Sequence, residues 1–407
     1  MSYDLHVYTP DVGHDVDLAA LVAAAGLARE GDGETVVRGA ERRYCFTLAR
    51  PLAVEPEDVP EEVTAVLLDA RLLWELHVEG STVPEVPHAV RFARRLATAG
   101  GGVVLDLQTG QTWHRGVLRT PPPVSRGLID IVDLRWYVAA SSQPAAESWL
   151  ELARRRLPEA LPRRFGTYEP LQGRLDRDGP EAFVGADDGR HSTYFDASAP
   201  CLGGSLASSS TLGAYSLSVQ RTALADQRWA NALRSFFVAV AVRTHAVYAV
   251  AEVVRGPSWS GRGIAYGPEA ESRTDLAARG VWAGLTPHPV WWSWFGAEYL
   301  PLVADQLPAG QLSHVDGGML HEAAPGPLDR DELRALLPRS PRRVSERRRR
   351  TPARAAPWLP ADLLPVMGPD HYVLRPARRM PASLVRRVIG PNGELVPSTA
   401  LPDSTPA

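Results

Sequence analysis

The longest apolar stretch of the chain, Phe236 to Val254, is interrupted by Arg243, His245 and Glu252. A helix crossing a bilayer needs about 20 mostly apolar residues with few or no charges. The stretch therefore reads as a buried helix followed by a strand, and no membrane segment is expected. Asp226 stands where an N-cap would, and Trp229, Leu233, Phe236, Phe237 and Val240 fall on one apolar face of a helix running to about Val242. Val247 to Val254 then alternates as a strand. With 44% hydrophobic and 22% charged residues in a chain of 407, disorder along the whole length is excluded and two or three domains are expected.

The same mixing of short helices and strands runs through the rest of the sequence. Tyr3 to Tyr8 alternates and breaks at Thr9-Pro10; Asp15 and Asp17 are candidate caps for a helix over Leu18 to Leu27. Glu34–Arg38 and Arg43–Leu48 flank Gly39-Ala40 as a hairpin, and Thr64 to Val78 holds two apolar stretches read as strands, with helix as the competing reading for Val66 to Leu76. Pro87 suits the first turn of a helix that ends at Gly100-Gly101-Gly102, ahead of a buried strand Val103 to Asp106. Further on, Ile129 to Ala139 reads as a strand and Ala145 to Leu157 as a helix, with short strands near Thr193-Tyr194-Phe195. Asp275 to Trp282 and Gly296 to Leu307 read as helices, and Ser313 to Ala323 as a hairpin turning near Asp316-Gly317. The fold class expected from this order is α+β, with helices covering largely antiparallel sheets in two-layer sandwiches. Pro121-Pro122-Pro123 marks a boundary, which gives an N-terminal unit over 1–120, a second α+β unit over 128–328, and a Pro/Arg-rich linker and tail over 329–407. Pro338 to Pro360 is expected to be extended with no packed core, and the chain from Pro397 onward to fray.

Charge is distributed unevenly. Every cationic residue is arginine, and residues 339–387 hold thirteen of them against Glu346, Asp362 and Asp370, a local charge of +10 in a chain whose total is −3. The protein reads as an acidic body with a basic tail. Two cysteines, Cys45 and Cys201, cannot form a disulfide framework, so a reducing compartment is the simpler reading and a single bridge the alternative. Met1-Ser2-Tyr3-Asp4 has no basic region leading into an apolar one, and no secretory signal is expected.

Candidate chemistry is sparse. Gly100-Gly101-Gly102 ends a helix and enters a strand, the wrong order for a phosphate loop. His314, Asp316, His321 and Glu322 lie on one expected hairpin, where they read either as solvated strand residues or as metal ligands; no recognised metal spacing is matched. Cys201 and Ser208-Ser209-Ser210, with His191 upstream as a base, are the candidates for covalent catalysis, but neither sits in a nucleophile-turn motif. The tail arginines suit phosphate neutralisation but lack interleaved aromatics for base stacking.

Two segments stand out. Leu157 to Pro170 leaves a helix through two prolines and contains Arg164-Phe165-Gly166-Thr167-Tyr168-Glu169-Pro170. Gly284 to Tyr299 packs Trp291, Trp292, Trp294 and Phe295 into five residues before Tyr299. If the latter is extended, Trp291 and Trp292 point to opposite sides, one toward a core and the other toward a partner or rim. These stretches resemble motifs of the immunity proteins of bacterial polymorphic toxin systems, an Arg-Phe-Gly-x-Tyr-Glu-Pro segment and a later Trp-Phe-Gly-x-x-Tyr segment in one α+β family. The resemblance spans about residues 130–325; the N-terminal unit and the arginine-rich tail have no counterpart in it. It implies a cytoplasmic, non-enzymatic inhibitor without metal or cofactor that binds a co-produced protein toxin, with a nuclease as the toxin that suits an acidic body. Arg164, Phe165, Tyr168, Glu169, Trp291, Trp292, Trp294, Phe295 and Tyr299 are then the residues of interest, for partner binding or for structure. The rivals are a metal-dependent hydrolase built on His314, Asp316 and His321, and a nucleic-acid-associated protein using the tail.

Overall fold

The structure is a computed structural model, which describes the chain apart from residues 1, 11–15, 32, 81, 121–126, 140–144, 190, 208–211, 260–262, 268–269, 274, 278–280, 308–309, 337–357, 369–372, 386, 390–394 and 398–407. The chain divides into two compact units, Met1–Ser125 and Arg126–Ala407. The candidate cap Asp15, the triple proline, the serine run 208–210 and the arginine run 347–350 lie outside the described residues, as does the chain beyond Pro397. Among the described residues no helix is long and apolar enough to cross a membrane.

The first unit contains β1 (Tyr3–Thr9), α1 (Leu18–Ala24), β2 (Leu27–Glu30), β3 (Thr35–Arg38), β4 (Arg43–Leu48), β5 (Leu52–Ala53), α2 (Glu61–Thr64), β6 (Leu72–Val78), α3 (Val86–Ala99), β7 (Val103–Asp106), β8 (Thr112–His114) and β9 (Val117–Arg119). They form one antiparallel sheet in the order β2-β3-β4-β6-β1-β7-β8-β9, with β5 beside β6. Strand alternation sends Leu5 and Val7 to one face, where Phe92, Ala93 and Leu96 of α3 cover them, and Tyr8 to the other, where Val54, Val59 and Val63 pack. Asp17 caps α1, its carboxylate accepting from Ala20 N. Gly102 lies so close to β1 that a Cβ there would collide with the carbonyl of Tyr8, so the triple glycine serves a helix end and a close backbone approach. The two strands expected over Thr64 to Val78 reduce to one, β6. Its approach is a helical turn, α2, whose Val63 is buried beneath the sheet.

The second unit contains β10 (Ile131–Ala139), α4 (Ala145–Arg156), β11 (Arg164–Gly166), β12 (Gly173–Arg174), α5 (Leu175–Ala186), β13 (Ser192–Asp196), β14 (Cys201–Ala207), β15 (Leu212–Gln220), α6 (Gln227–Arg243), β16 (Ala246–Val254), β17 (Ser258–Trp259), β18 (Ile264–Ala265), β19 (Trp292–Gly296), α7 (Leu300–Val303), β20 (Gln311–Val315), β21 (Gly318–Glu322) and α8 (Arg330–Leu336). Ten of its strands make an antiparallel sheet ordered β12-β11-β13-β14-β15-β10-β16-β19-β21-β20. One face lies under α4, α5 and α6 in a core holding Trp136, Trp149, Phe183, Phe195, Phe236, Phe237, Trp292 and Trp294. A buried indole must place its N–H. Trp136 donates to Phe237 O at 2.9 Å and Trp149 to Ala160 O at 3.0 Å, so the rings also fasten helix and loop to the sheet. The α+β class and its antiparallel sheets with helices on their faces are as expected.

Three local expectations fail for physical reasons. Asp275 to Trp282 is no helix among its described residues: the Asp275 carboxylate accepts from Ala277 N at 3.0 Å, an Asx turn competing with helical bonding, and Trp282 enters the core from a loop. Gly296 to Leu307 shrinks to the single turn α7, because Gly296 is still paired in β19 with Gly318. Pro338 to Pro360 does not stay clear of a core throughout. Trp358 and Leu359 are buried with Leu363 in a second core against Tyr248, Leu285 and Phe295, and Trp358 donates to Thr286 O at 2.7 Å. The second unit likewise continues past residue 328, since Leu333 of α8 is buried in the core under the helices.

Candidate functional site

The second face of the ten-stranded sheet is divided. One part carries the core that holds Tyr137, Tyr248 and Phe295, another a small apolar cluster of Ile131, Leu202 and Val254, and a third part is polar. The division begins in β10. Val132, Leu134, Trp136 and Val138 face the helices, so the alternate residues Asp133, Arg135 and Tyr137 must face away. Register then sets the rows across the sheet. Asp133 lies opposite Ser218 on one side and Glu252 on the other, and Arg135 opposite Ser216 and Val250.

Like charges directly opposite in a sheet repel, and both Asp133 and Glu252 are buried, which makes partners obligatory. Asp133 meets Arg135 Nε at 2.7 Å and Arg273 Nη1 at 3.3 Å, and accepts from Ser218 Oγ at 3.3 Å. Glu252 meets His288 Nε2 at 2.9 Å and Arg330 Nη2 at 3.1 Å, and Arg330 also donates to Ser272 O at 2.7 Å. Burial pushes the Glu252 carboxyl up, but the His288 hydrogen bond and the charges around it override this and hold it at about 2. Burial pushes His288 down despite Glu252. The consistent state is a carboxylate accepting from a neutral imidazole, with Arg330 and Arg135 as the fixed cations.

Beside this network a cleft of about 210 Å³ opens between the sheet and the β17–β18 hairpin, lined by Glu169, Tyr194, Ser216, Ser218, Tyr266 and Arg273 among others. A neighbouring hollow of about 300 Å³ shares Ser205, Ser216 and Arg273 and adds Arg135 and Asp275. Arg273 is 39% exposed and lies 4.4 Å over the Tyr266 ring, and Ser205 and Ser216 share a hydrogen bond of 2.9 Å. Burial, chiefly, raises the Tyr266 hydroxyl to about 12, so it remains a neutral donor. The surface offers hydroxyls, aromatic rings and one half-exposed guanidinium, which suits recognition of a polar chain.

The first motif is split by the fold. Arg164 and Phe165 are buried; the guanidinium donates to Leu171 O at 2.5 Å, and the Phe165 ring packs edge-on to Phe183 at 5.2 Å. A side chain on Gly173 would collide with that ring, so the cross-strand partner of Phe165 must be glycine. Tyr168 (52% exposed) and Glu169 are at the surface, and Glu169 lines the cleft. In the second motif the aromatic side chains are interior, while Ala297 and Glu298 are exposed. Trp291, Trp292, Trp294, Phe295 and Tyr299 are all buried. Trp294 faces the helices and donates to Ala246 O at 3.1 Å, while Phe295 enters the opposite core. Tyr299 Oη accepts from Trp282 Nε1 at 2.7 Å. Trp291 and Trp292 do not point apart: β19 begins only at Trp292, and the two rings stack with centroids 3.9 Å apart in the same core. Neither reaches a rim.

The other candidates separate. Glu322 faces the helices and pairs with Arg234 of α6 at 2.7 Å, His321 is fully buried, and His314 and Asp316 are exposed. Among the described residues no three His, Cys, Asp or Glu converge as metal ligands. Cys201 is a free thiol buried on β14, pushed up by burial and then by Glu159, and His191 pairs with Asp188 at the surface. In the sequence Glu252 stands out only as an interruption of an apolar stretch, and Asp133, Arg135, Arg273, His288 and Arg330 belong to no motif. The available signal was the placing of charges at alternate positions in the apolar strand Ile131–Ala139.

No family model matches the sequence, and no curated relative does. Three chains among solved structures match. One is a T6SS protein of Pseudomonas aeruginosa, 16% identical, aligned over 49% of this chain and 67% of that chain with a TM-score of 0.35.

Proposed function

We propose that the chain is an immunity protein that neutralises a co-produced bacterial toxin by stoichiometric binding, with Tyr168 and Glu169 at the contact. The observation that carries the reading is the split of the first motif: Arg164 and Phe165 anchor the loop in the core, while Tyr168 and Glu169 stand at the surface and Glu169 lines a polar cleft. A Tyr beside a carboxylate on an anchored loop is the kind of rim that recognises a basic protein surface. The acidic balance outside residues 339–387 favours fast association with a basic toxin such as a nuclease. Trp291, Trp292, Trp294, Phe295 and Tyr299 support the fold in this reading and do not touch the partner.

The test is capture of tagged protein from its native host with identification of co-purifying proteins, including those encoded beside it, for the wild type and for Glu169→Arg and Tyr168→Ala. A single toxin-like partner at stoichiometric yield, lost from the two variants while they remain folded, is the expected outcome. Absence of a partner, or equal capture by the variants, removes the reading.

A further inference from the structure

The first unit carries a net charge of −7 over residues 1–125, yet its charges are unevenly distributed along the chain. Residues 51–85 hold nine carboxylates against Arg71, and Glu57, Glu61 and Asp69 of this segment are exposed on the side of the sheet covered by Val54, Val59 and Val63. Residues 86–119 hold five arginines against Asp106. Three of these, Arg91, Arg94 and Arg95, share the outer face of α3 with Thr98, opposite the buried stripe of Phe92, Ala93 and Leu96.

No carboxylate among the described residues pairs with any of the three. Arg91 meets His88 at 2.9 Å, Arg95 donates to Ala24 O at 3.1 Å, and Arg94 lies over the Trp113 ring at 5.7 Å. Like charges three and four apart on a helix repel, so this stripe is paid for in stability and relieved only by an anionic neighbour. Between the arginines and β8 lies a groove of about 430 Å³ lined by Leu21, Arg94, Arg95, Thr98, Ala99 and Trp113. Leu118, 52% exposed, is the cross-strand partner of Trp113 and extends the apolar floor on the same face.

We infer that this groove docks an acidic segment of a partner protein, with an aliphatic or aromatic side chain seated on Leu21, Ala99, Trp113 and Leu118 and carboxylates facing Arg91, Arg94 and Arg95. Charge complementarity commits the choice, and the apolar floor favours a peptide over a nucleic acid, whose phosphates would gain nothing from it. The surface belongs to a different unit from the cleft that bears Glu169, and does not depend on the toxin reading.

The experiment is fluorescence anisotropy of a labelled peptide, glutamates flanking a Leu-Phe pair, titrated with the full chain. Three comparisons accompany it: a peptide with the pair replaced by serines, a labelled DNA duplex, and the Arg91→Glu/Arg95→Glu protein, checked to be folded by circular dichroism and cooperative unfolding. Binding of the first peptide, weakened about tenfold or more both by the serine replacement and by the charge reversal, is expected. No anisotropy change with that peptide, equal binding of the serine peptide, or tighter and steeply salt-dependent binding of the duplex overturns the inference.

Discussion

The two aromatic-rich motifs of the second unit do different work. Trp294-Phe295-Gly296 with Tyr299 is a clamp through the sheet: successive side chains enter the cores on its two faces, and both polar ring atoms involved find partners inside. Arg164 to Pro170 is a clamp for half its length and a display for the other half. Aromatic density signals burial in the first case, since an alternating strand between two cores has no side left for solvent. In the second, the glycine and the turn free the chain from alternation, and the tyrosine and glutamate face water.

Removing the clamp gives the largest effect. Trp294→Ala is expected to cost about 4 kcal/mol, through lost burial and an unpaired Ala246 carbonyl, read as the midpoint of chemical denaturation. A change under 1 kcal/mol would mean that the ring is not enclosed as described. Phe165→Ala should cost roughly 3 kcal/mol, because the ring is wedged between Gly173 and Phe183, and this would place the buried half of the first motif with the clamp.

Acidification comes next, and on the polar face it acts through His288 and Glu252. His288 is held neutral below its ordinary range, so the unfolded chain binds the extra proton first and stability falls as pH drops below about 6.5. Glu252, held down at about 2, contributes stability that is complete above about 4.5 and lost as pH falls from there toward 2. Thermal unfolding across that range should therefore decline in Glu252→Gln less steeply than in the wild type. Parallel curves would remove Glu252 from the cause. Tyr299→Phe, which deletes only the acceptor of the Trp282 indole, should cost about 1 kcal/mol in the same denaturation assay.

How far each region was readable follows from how local its determinants are. The β20–β21 hairpin, the Asp226 cap and the glycine stop of α3 are set by residues within a turn of one another, and the sequence displays them. The stacking of Trp291 on Trp292 was hidden because it depends on where β19 starts, which pairing with β16 and β21 decides. The ion network was hidden more deeply. Asp133 and Arg135 announce a polar face in an apolar strand, but Arg273, His288 and Arg330 reach it from loops and a helix more than a hundred residues away, brought there only by the strand order. Asp275 to Trp282 reads as a helix, but the Asp275 carboxylate closes an Asx turn on Ala277 N instead, a local bond that competes with helical ones.

The smallest expected effect is the most discriminating. Tyr168 is 52% exposed, three residues after the buried Phe165, and its ring joins neither of the cores described. Tyr168→Ala should therefore leave stability within about 0.5 kcal/mol of the wild type, as surface substitutions do, while partner capture is lost. Stability read by denaturation and binding read by capture then move independently at this position, whereas at Trp294 they must fall together because the sheet itself is compromised. A Tyr168→Ala protein that unfolds early would make the loop a structural plug, and the division of the first motif into an anchored and a displayed half would no longer hold.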